Sequence, residues 1–151
     1  MGKSLLRDQL NIKMQAFLPV QTAVSGPVGW IQSTRKALGM TLEQLANKLG
    51  ISKQSAKETE LRELAGAITL KTLRDIAETM DMQLVYGFVP KDGSLDALIE
   101  RKATELARQI VMRTSNTMKL ENQQNSAERI AKAIKERAEI IMAENPKMLW
   151  D

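Results

Sequence analysis

The sequence predicts an all-α fold with one candidate β-strand. Apolar residues recur every three to four positions along most of the chain, which is the spacing of helices that bury one face. Thr41, Ser52 and Thr69 each stand directly before such a stretch, where N-cap residues are favoured. Only Gln83–Val89 alternates in the manner of a strand, with β-favouring side chains.

The N-terminal and central helices follow from this spacing. Leu6, Leu10, Met14 and Phe17 predict a helix over residues 4–17, and a stretch with two prolines and two glycines follows it. Four helices are expected between Gly29 and Met82. Gly39 and Gly50 end the first two, and the second opens with a capping box formed by Thr41 and Gln44.

The second half of the chain predicts two longer helices. Their apolar stripes run over residues 95–111 and 127–142, and the last helix ends before Pro146. A lone strand at Gln83–Val89 would leave its edges unpaired. It is therefore expected to pair with the same strand of a second copy, giving a homodimer, or else to be an extended connector.

The composition argues against an enzyme. The chain of 151 residues contains neither cysteine nor histidine, which removes thiol nucleophiles, thiolate metal sites and the commonest general base. We expect no catalytic residues, no cofactor and no metal site. No apolar run is long enough for a signal peptide or a membrane span, so a cytoplasmic protein without membrane contact is expected.

The charge distribution mildly favours a nucleic-acid partner. The formal net charge is +4, with 11 basic and 8 acidic residues before Pro90 and 11 and 10 after it. The two parts therefore carry +3 and +1, so most of the basic excess precedes Pro90.

The most informative stretch is "MTLEQLANKLGISKQSAKETE", residues 40–60. It resembles the helix-turn-helix of the phage-repressor family, also called the XRE or Cro/CI type. Leu45 and Ala46 are expected to face inward, Gly50 to form the turn and Ile51 to fill the core. The resemblance implies that the second helix of the motif enters the major groove of double-stranded operator DNA.

The expected DNA contacts divide by chemistry. Amide and basic side chains at the start of the second helix can read base edges, and hydroxyls and amides at helix N-termini can hold phosphate. The base-contacting residues are expected to be Lys53, Gln54 and Lys57, with Ser55 secondary. The phosphate-contacting residues are expected to be Thr41, Gln44, Ser52 and Arg35, and Lys36 is a further candidate. Arg7 and Lys13 are candidates for an arm that reaches the DNA.

Some residues depart from the family's pattern. Ala56 and Thr59 stand where larger apolar residues are usual, and Glu58, Glu60 and Glu63 would repel phosphate. These departures leave open a helical hairpin without DNA-binding function. They also suggest that the distal end of the helix points away from DNA.

Three blocks extend the resemblance over nearly the whole chain. They read "GWIQSTRKALGMTLEQLANKLGIS", "ITLKTLRDIAETMDMQLVYGFVP" and the terminal "LWD". Together they are similar to the family called mobile mystery protein A, whose members are encoded beside a Fic-domain protein. Fic enzymes transfer AMP from ATP to protein hydroxyls, and several are toxins. The resemblance implies an antitoxin that also represses its own operon.

Within "SNTMKLENQQNS", residues 115–126, one short motif fits that implication. Thr117, Glu121 and Asn122 match the Fic inhibitory pattern, which is Ser or Thr, three residues, Glu, then Gly or Asn. In Fic inhibitors this glutamate pairs with the arginine that would hold the ATP γ-phosphate. A carboxylate is suited to that task because it forms a bidentate pair with guanidinium.

The sequence therefore predicts three segments. Residues 1–28 hold the N-terminal helix and linker, 29–90 the helix-turn-helix with its strand, and 91–151 the helical toxin-binding region. One alternative is a stand-alone XRE-type regulator whose C-terminal helices only dimerise. Another is an inhibitor of the toxin whose helix-turn-helix is vestigial.

Overall fold

A computed structural model of the chain describes residues 2–23, 26–118, 127–144 and 146–151. The chain divides into two compact units. One unit comprises residues 19–87, and the other combines residues 1–18 with residues 88–151. The N-terminal helix therefore belongs to the same unit as the C-terminal helices.

The unit of residues 19–87 contains four α-helices and a preceding 3₁₀ helix at Leu18–Thr22. The α-helices are α2 (Gly29–Ala37), α3 (Leu42–Leu49), α4 (Lys53–Ala65) and α5 (Leu70–Thr79). The starts of α3, α4 and α5 agree with the caps predicted from the sequence. The hydroxyls of Thr41, Ser52 and Thr69 each accept a hydrogen bond from the backbone N–H three residues on.

The core of this unit is small and apolar. Ile31, Leu45, Ile76 and Met80 are buried together, with Leu73 packed against them. Ala46 and Ala56 are each only 1% exposed, and α3 packs against α4. Leu45 and Ala46 are thus inside, as predicted. Ile51 is 38% exposed, so the prediction that it fills the core was wrong.

The start of α2 depends on a side chain from α4. The carboxylate of Glu63 accepts hydrogen bonds from the backbone N–H groups of Trp30 and Ile31, both at 2.8 Å. These N–H groups belong to the first turn of α2, which has no partners within its own helix. Gly29 has a φ of +80°, and a Cβ built there would lie 2.7 Å from the Glu63 carboxylate. Glycine therefore allows Glu63 to approach.

The second unit is a helical hairpin with an added N-terminal helix. It contains α1 (Gly2–Gln15), α6 (Leu95–Met118), α7 (Ala127–Glu144) and a 3₁₀ helix at Pro146–Trp150. Ala103 and Ala107 of α6 are fully buried against Ala138 and Ile141 of α7, and Leu149 closes the cluster. Small residues at these positions allow the two helices to approach closely.

Polar contacts hold α1 beside the start of α6. The Asn11 side-chain oxygen accepts from the Leu95 backbone N–H at 3.1 Å, and the Gln15 amide donates to the Gly93 carbonyl at 3.0 Å. The preceding loop is fixed by Asp92, whose carboxylate accepts from Arg101 at 2.7 and 3.1 Å. Hydrogen bonding by Arg101 lowers the pKa of Asp92 below its ordinary value.

The structure does not contain the strand that the sequence predicts at Gln83–Val89. Residues 83–89 have no regular secondary structure in the single chain. Val85, Tyr86 and Phe88 are 70%, 61% and 82% exposed. A strand requires a neighbouring strand for its hydrogen bonds, and this stretch has none within the described part of the chain.

We predict that Gly29→Ala destabilises the unit of residues 19–87 more than Gly50→Ala does. Both glycines have positive φ, but a Cβ at Gly50 would meet nothing within 4 Å. Gly50→Ala should therefore cost only the left-handed strain, about 1–2 kcal/mol. Gly29→Ala should cost about 1 kcal/mol more because it also displaces the Glu63 cap. Urea unfolding followed by circular dichroism measures both, and equal costs would contradict the role given to Glu63.

Candidate nucleic-acid interface

A tight turn joins α3 to α4. Gly50 ends α3 with a φ of 69° and a ψ of 30°, in the left-handed region that glycine adopts without strain. The Ile51 N–H donates to the Ala46 carbonyl at 3.0 Å, and Ser52 is already the N-cap of α4. Because only Gly50, Ile51 and Ser52 separate the helices, the direction of α4 is set closely by α3.

One side of α4 is buried in the interior of its unit. Ala56, Thr59 and Glu60 are buried, at 1%, 8% and 6% exposure. The Thr59 hydroxyl donates to the Ser55 carbonyl at 2.8 Å, so its polar group is satisfied within the helix. Ala56 and Thr59, which depart from the family's pattern, therefore pack inward without a buried unpaired group.

The predicted base-contacting residues of α4 are accessible to solvent, and Gln54 lies opposite to the buried side. Lys53, Gln54 and Lys57 are exposed, and Ser55 is half-buried at the edge of this face. Gln54 and Lys57 are three residues apart and therefore neighbours on the helix surface. The structure thus places Gln54 and Lys57 side by side on the exposed surface of α4, and Lys53 is exposed in its first turn.

The two serines at the start of α4 bond to each other. The Ser52 hydroxyl accepts from the Ser55 backbone N–H and donates its own proton to the Ser55 hydroxyl at 2.9 Å. The Ser52 hydroxyl therefore acts as a helix cap in this structure.

Thr41 and Gln44 retain their donors at the start of α3. The Thr41 hydroxyl accepts from the Gln44 backbone N–H at 3.1 Å, and the Gln44 side-chain oxygen accepts from the Thr41 N–H at 2.8 Å. This capping box uses only acceptor atoms of the two side chains. Their hydroxyl proton and amide NH₂ group remain exposed at the positive end of a helix, where an anion is favoured.

Arg35 lies elsewhere than expected. It is 8% exposed, and its guanidinium donates to the Glu60 carboxylate at 2.6 and 3.4 Å and to the Met40 carbonyl at 3.0 Å. The expectation that Arg35 contacts phosphate is corrected, because its donors are turned inward to α4 and to the end of its own helix. Its neighbour Lys36 is exposed.

Two of the three acids of α4 bind groups of α2. Glu60 pairs with Arg35, and Glu63 caps α2. Their partners are 25 and 33 residues away, so no local spacing in the sequence indicates these contacts. The two carboxylates that seemed to oppose DNA binding therefore face the scaffold, and only Glu58 faces solvent.

The comparison with known families agrees with this geometry. The helix-turn-helix family model matches residues 31–86, which span α2 to α5. Residues 31–86 form an XRE-type helix-turn-helix domain. No curated protein and no solved structure matches the chain. This domain type is a DNA-binding fold of transcription regulators, and it is generally not enzymatic.

The other candidate residues lie outside this domain. Arg7 of α1 pairs with Asp96 at 3.5 Å, and Lys13 is exposed in the last turn of α1. Thr117 lies in the last turn of α6, while its side chain and all of Glu121 and Asn122 fall outside the described residues. Within the ranges that are described, no helix is both long and apolar enough to cross a membrane.

We predict that Arg35→Met destabilises the helix-turn-helix domain by about 3–5 kcal/mol, because it leaves the Glu60 carboxylate buried without a partner. Adding Glu60→Leu should restore most of this loss, since no buried charge then remains. Lys36→Met, at the exposed neighbouring position, should change stability by less than about 0.5 kcal/mol. Chemical denaturation measures all three. Unchanged stability with weakened DNA binding in Arg35→Met would instead support a phosphate contact.

Proposed function

We propose that this chain is a transcription regulator that represses its own operon by binding operator DNA through α4. The supporting observation is that the helix-turn-helix domain exposes Gln54 opposite to the buried residues of α4, with Lys57 beside it and Lys53 exposed in the first turn. A helix in this setting can enter the major groove while its scaffold stays outside.

The proposed contacts follow the chemistry of each group. The Gln54 amide can both donate to and accept from adenine, and Lys53 or Lys57 can donate to guanine. Ser55 offers a hydroxyl donor beside them. The Thr41 hydroxyl and Gln44 amide would bind phosphate, where they position α4 without reading sequence. Ser52 would contribute mainly by fixing the start of the helix.

We further propose that the regulator binds as a homodimer. Two copies would place two recognition helices about one helical turn of DNA apart, roughly 34 Å. Exposed apolar side chains support a second copy as the partner. Leu6 and Leu10 of α1 are 65% and 41% exposed, and the connector around Tyr86 is similarly uncovered.

The antitoxin role is the finer part of the proposal. It rests on the sequence resemblance and on the motif of Thr117, Glu121 and Asn122. In this proposal Glu121 enters the nucleotide site of a Fic-domain toxin and pairs with the arginine that holds the ATP γ-phosphate. AMP transfer is thereby prevented.

The stand-alone regulator remains the second candidate. A stand-alone regulator would make the same DNA contacts as the antitoxin and would differ only in lacking a toxin partner. The vestigial alternative loses support from the structure, because Ala56 and Thr59 are well buried and Glu60 and Glu63 have partners in the scaffold. The four residues that argued against DNA binding by α4 therefore have roles in the packing of the domain.

We predict different outcomes for two glutamine variants in DNA binding. Gln54→Ala should lose about 5- to 100-fold discrimination at one base pair, as expected for a base contact. Gln44→Ala should weaken binding to all sequences alike, as expected for a phosphate contact. Gln109→Ala, at an exposed glutamine of α6, is the control and should leave binding unchanged. Fluorescence anisotropy with the selected operator and with single-base-pair variants of it measures each case.

The salt dependence tests the proposal as a whole. Affinity of the wild-type chain should fall steeply as salt rises, and Lys53→Ala should lower the slope of log K against log salt by about 1 if Lys53 also neutralises a phosphate. Binding that is weak and insensitive to salt for every duplex would refute the DNA-binding function.

We predict that Glu121→Ala abolishes toxin inhibition without abolishing toxin binding. The assay is AMP transfer by the Fic-domain protein that the resemblance places beside this chain. Wild type and Glu136→Ala, a change at an exposed glutamate of α7, should both silence the reaction. Equal silencing by Glu121→Ala would show inhibition through another contact, and no binding by wild type would leave only the stand-alone regulator.

A further inference from the structure

The residues of α4 that lie opposite to its buried side include one acid, Glu58. Successive helical residues are rotated by about 100°, so the buried residues Ala56, Thr59 and Glu60 define one direction, which the half-buried Glu63 shares. The opposite direction passes close to Gln54, Glu58 and Leu61. By this count Glu58 lies about 40° around the helix from Gln54, and Lys57 about 60°.

Glu58 is the one acid of α4 that the scaffold does not use. Glu60 and Glu63 are bound to α2, whereas the Glu58 side chain is 51% exposed. Its nearest cation is Arg62 of the next turn, at 3.8 Å with both side chains largely in solvent. A surface pair of this kind holds the carboxylate only weakly, so the group can turn to another donor.

We propose that Glu58 is a specificity-determining residue that reads a cytosine next to the base read by Gln54. The proposal rests on the DNA-binding function and on the outward direction of α4. If Gln54 reaches base edges, Glu58, one turn further on the same side, points at the same groove floor.

The chemistry of the groove selects the base. A carboxylate only accepts hydrogen bonds, and the major-groove donors are the amino groups of cytosine and adenine. The adenine amino group lies between two acceptors, its own N7 and O4 of the paired thymine. The cytosine amino group has an acceptor on one side only. A carboxylate bonded to it therefore meets less repulsion than a carboxylate bonded to adenine.

Glu58 would act largely by excluding the wrong bases. Its negative charge near the phosphates weakens binding to every sequence, and only a cytosine amino group compensates for its desolvation. Discrimination of this type comes from an unfavourable contact with non-cognate DNA as much as from a favourable one with the operator.

The test is selection of binding sites from a randomised duplex pool, with the full-length wild type, Glu58→Gln and Glu58→Ala. Glu136→Gln is the matched control, because Glu136 forms a comparable exposed pair with Lys132 at 3.9 Å on α7. Each selected site is then measured with all four base pairs at the assigned position. Thermal unfolding confirms that the substitutions at this exposed position leave the fold intact, and Glu58→Gln preserves the shape of the side chain.

Wild type and Glu136→Gln should prefer cytosine at one position by about 5- to 100-fold. Glu58→Ala should bring that preference near unity, leave the other positions unchanged and bind non-cognate DNA more tightly. Glu58→Gln should also lose the cytosine preference, because its amide both donates and accepts.

If both Glu58 variants select the same cytosine as wild type and only bind all DNA more tightly, Glu58 merely repels phosphate and the inference is overturned. In that case the DNA-binding function stands. A wild-type chain that selects no site overturns the proposed function and this inference together.

Discussion

The orientation of α4 depends on two carboxylates that α4 contributes to α2. Glu60 pairs with the Arg35 guanidinium, and Glu63 binds the first N–H groups of α2. Both contacts lie on the inner side of α4, together with Ala56. A helix held at successive turns on one side cannot rotate about its axis. The residues on its other side are therefore fixed in the direction that they present to a partner.

The same contacts determine the charge that DNA would meet. α4 contains three glutamates after Lys57, which would make its distal half acidic if all of them faced outward. Two of these carboxylates instead face α2, and their charge is compensated by a buried guanidinium and by a helix N-terminus. The solvent-exposed residues of α4 then include Lys53, Lys57 and Arg62 against Glu58 alone. A mildly basic chain can in this way present a locally basic helix.

The second unit is built on a different principle. Its core depends on alanines that let α6 and α7 pack closely, and polar groups of α1 are bonded to the start of α6. The apolar side chains that it leaves exposed, such as Ile12 at 73%, are of the kind that protein partners cover.

Much of the helix-turn-helix was predictable because its signals are local. A capping residue bonds to an N–H three positions away, and a left-handed turn requires glycine where it occurs. Thr41, Ser52, Thr69 and Gly50 therefore marked the helix boundaries correctly. The expectation that Lys53, Gln54 and Lys57 are exposed rested on their place at the start of the second helix of the motif. The strand at Gln83–Val89 could not be decided in this way, since a strand depends on a partner that the alternation does not supply.

The sequence by itself therefore determined the helices, their caps and the family of the DNA-binding motif. Only the tertiary structure decided the roles of Arg35, Glu60 and Glu63, and it also left Ile51 partly exposed. The contacts of Arg35 with Glu60 and of Glu63 with α2 join residues 25 or more positions apart, so no local pattern distinguishes a charge that faces the scaffold from one that faces solvent. The direction of a long side chain depends on which neighbours folding brings near it.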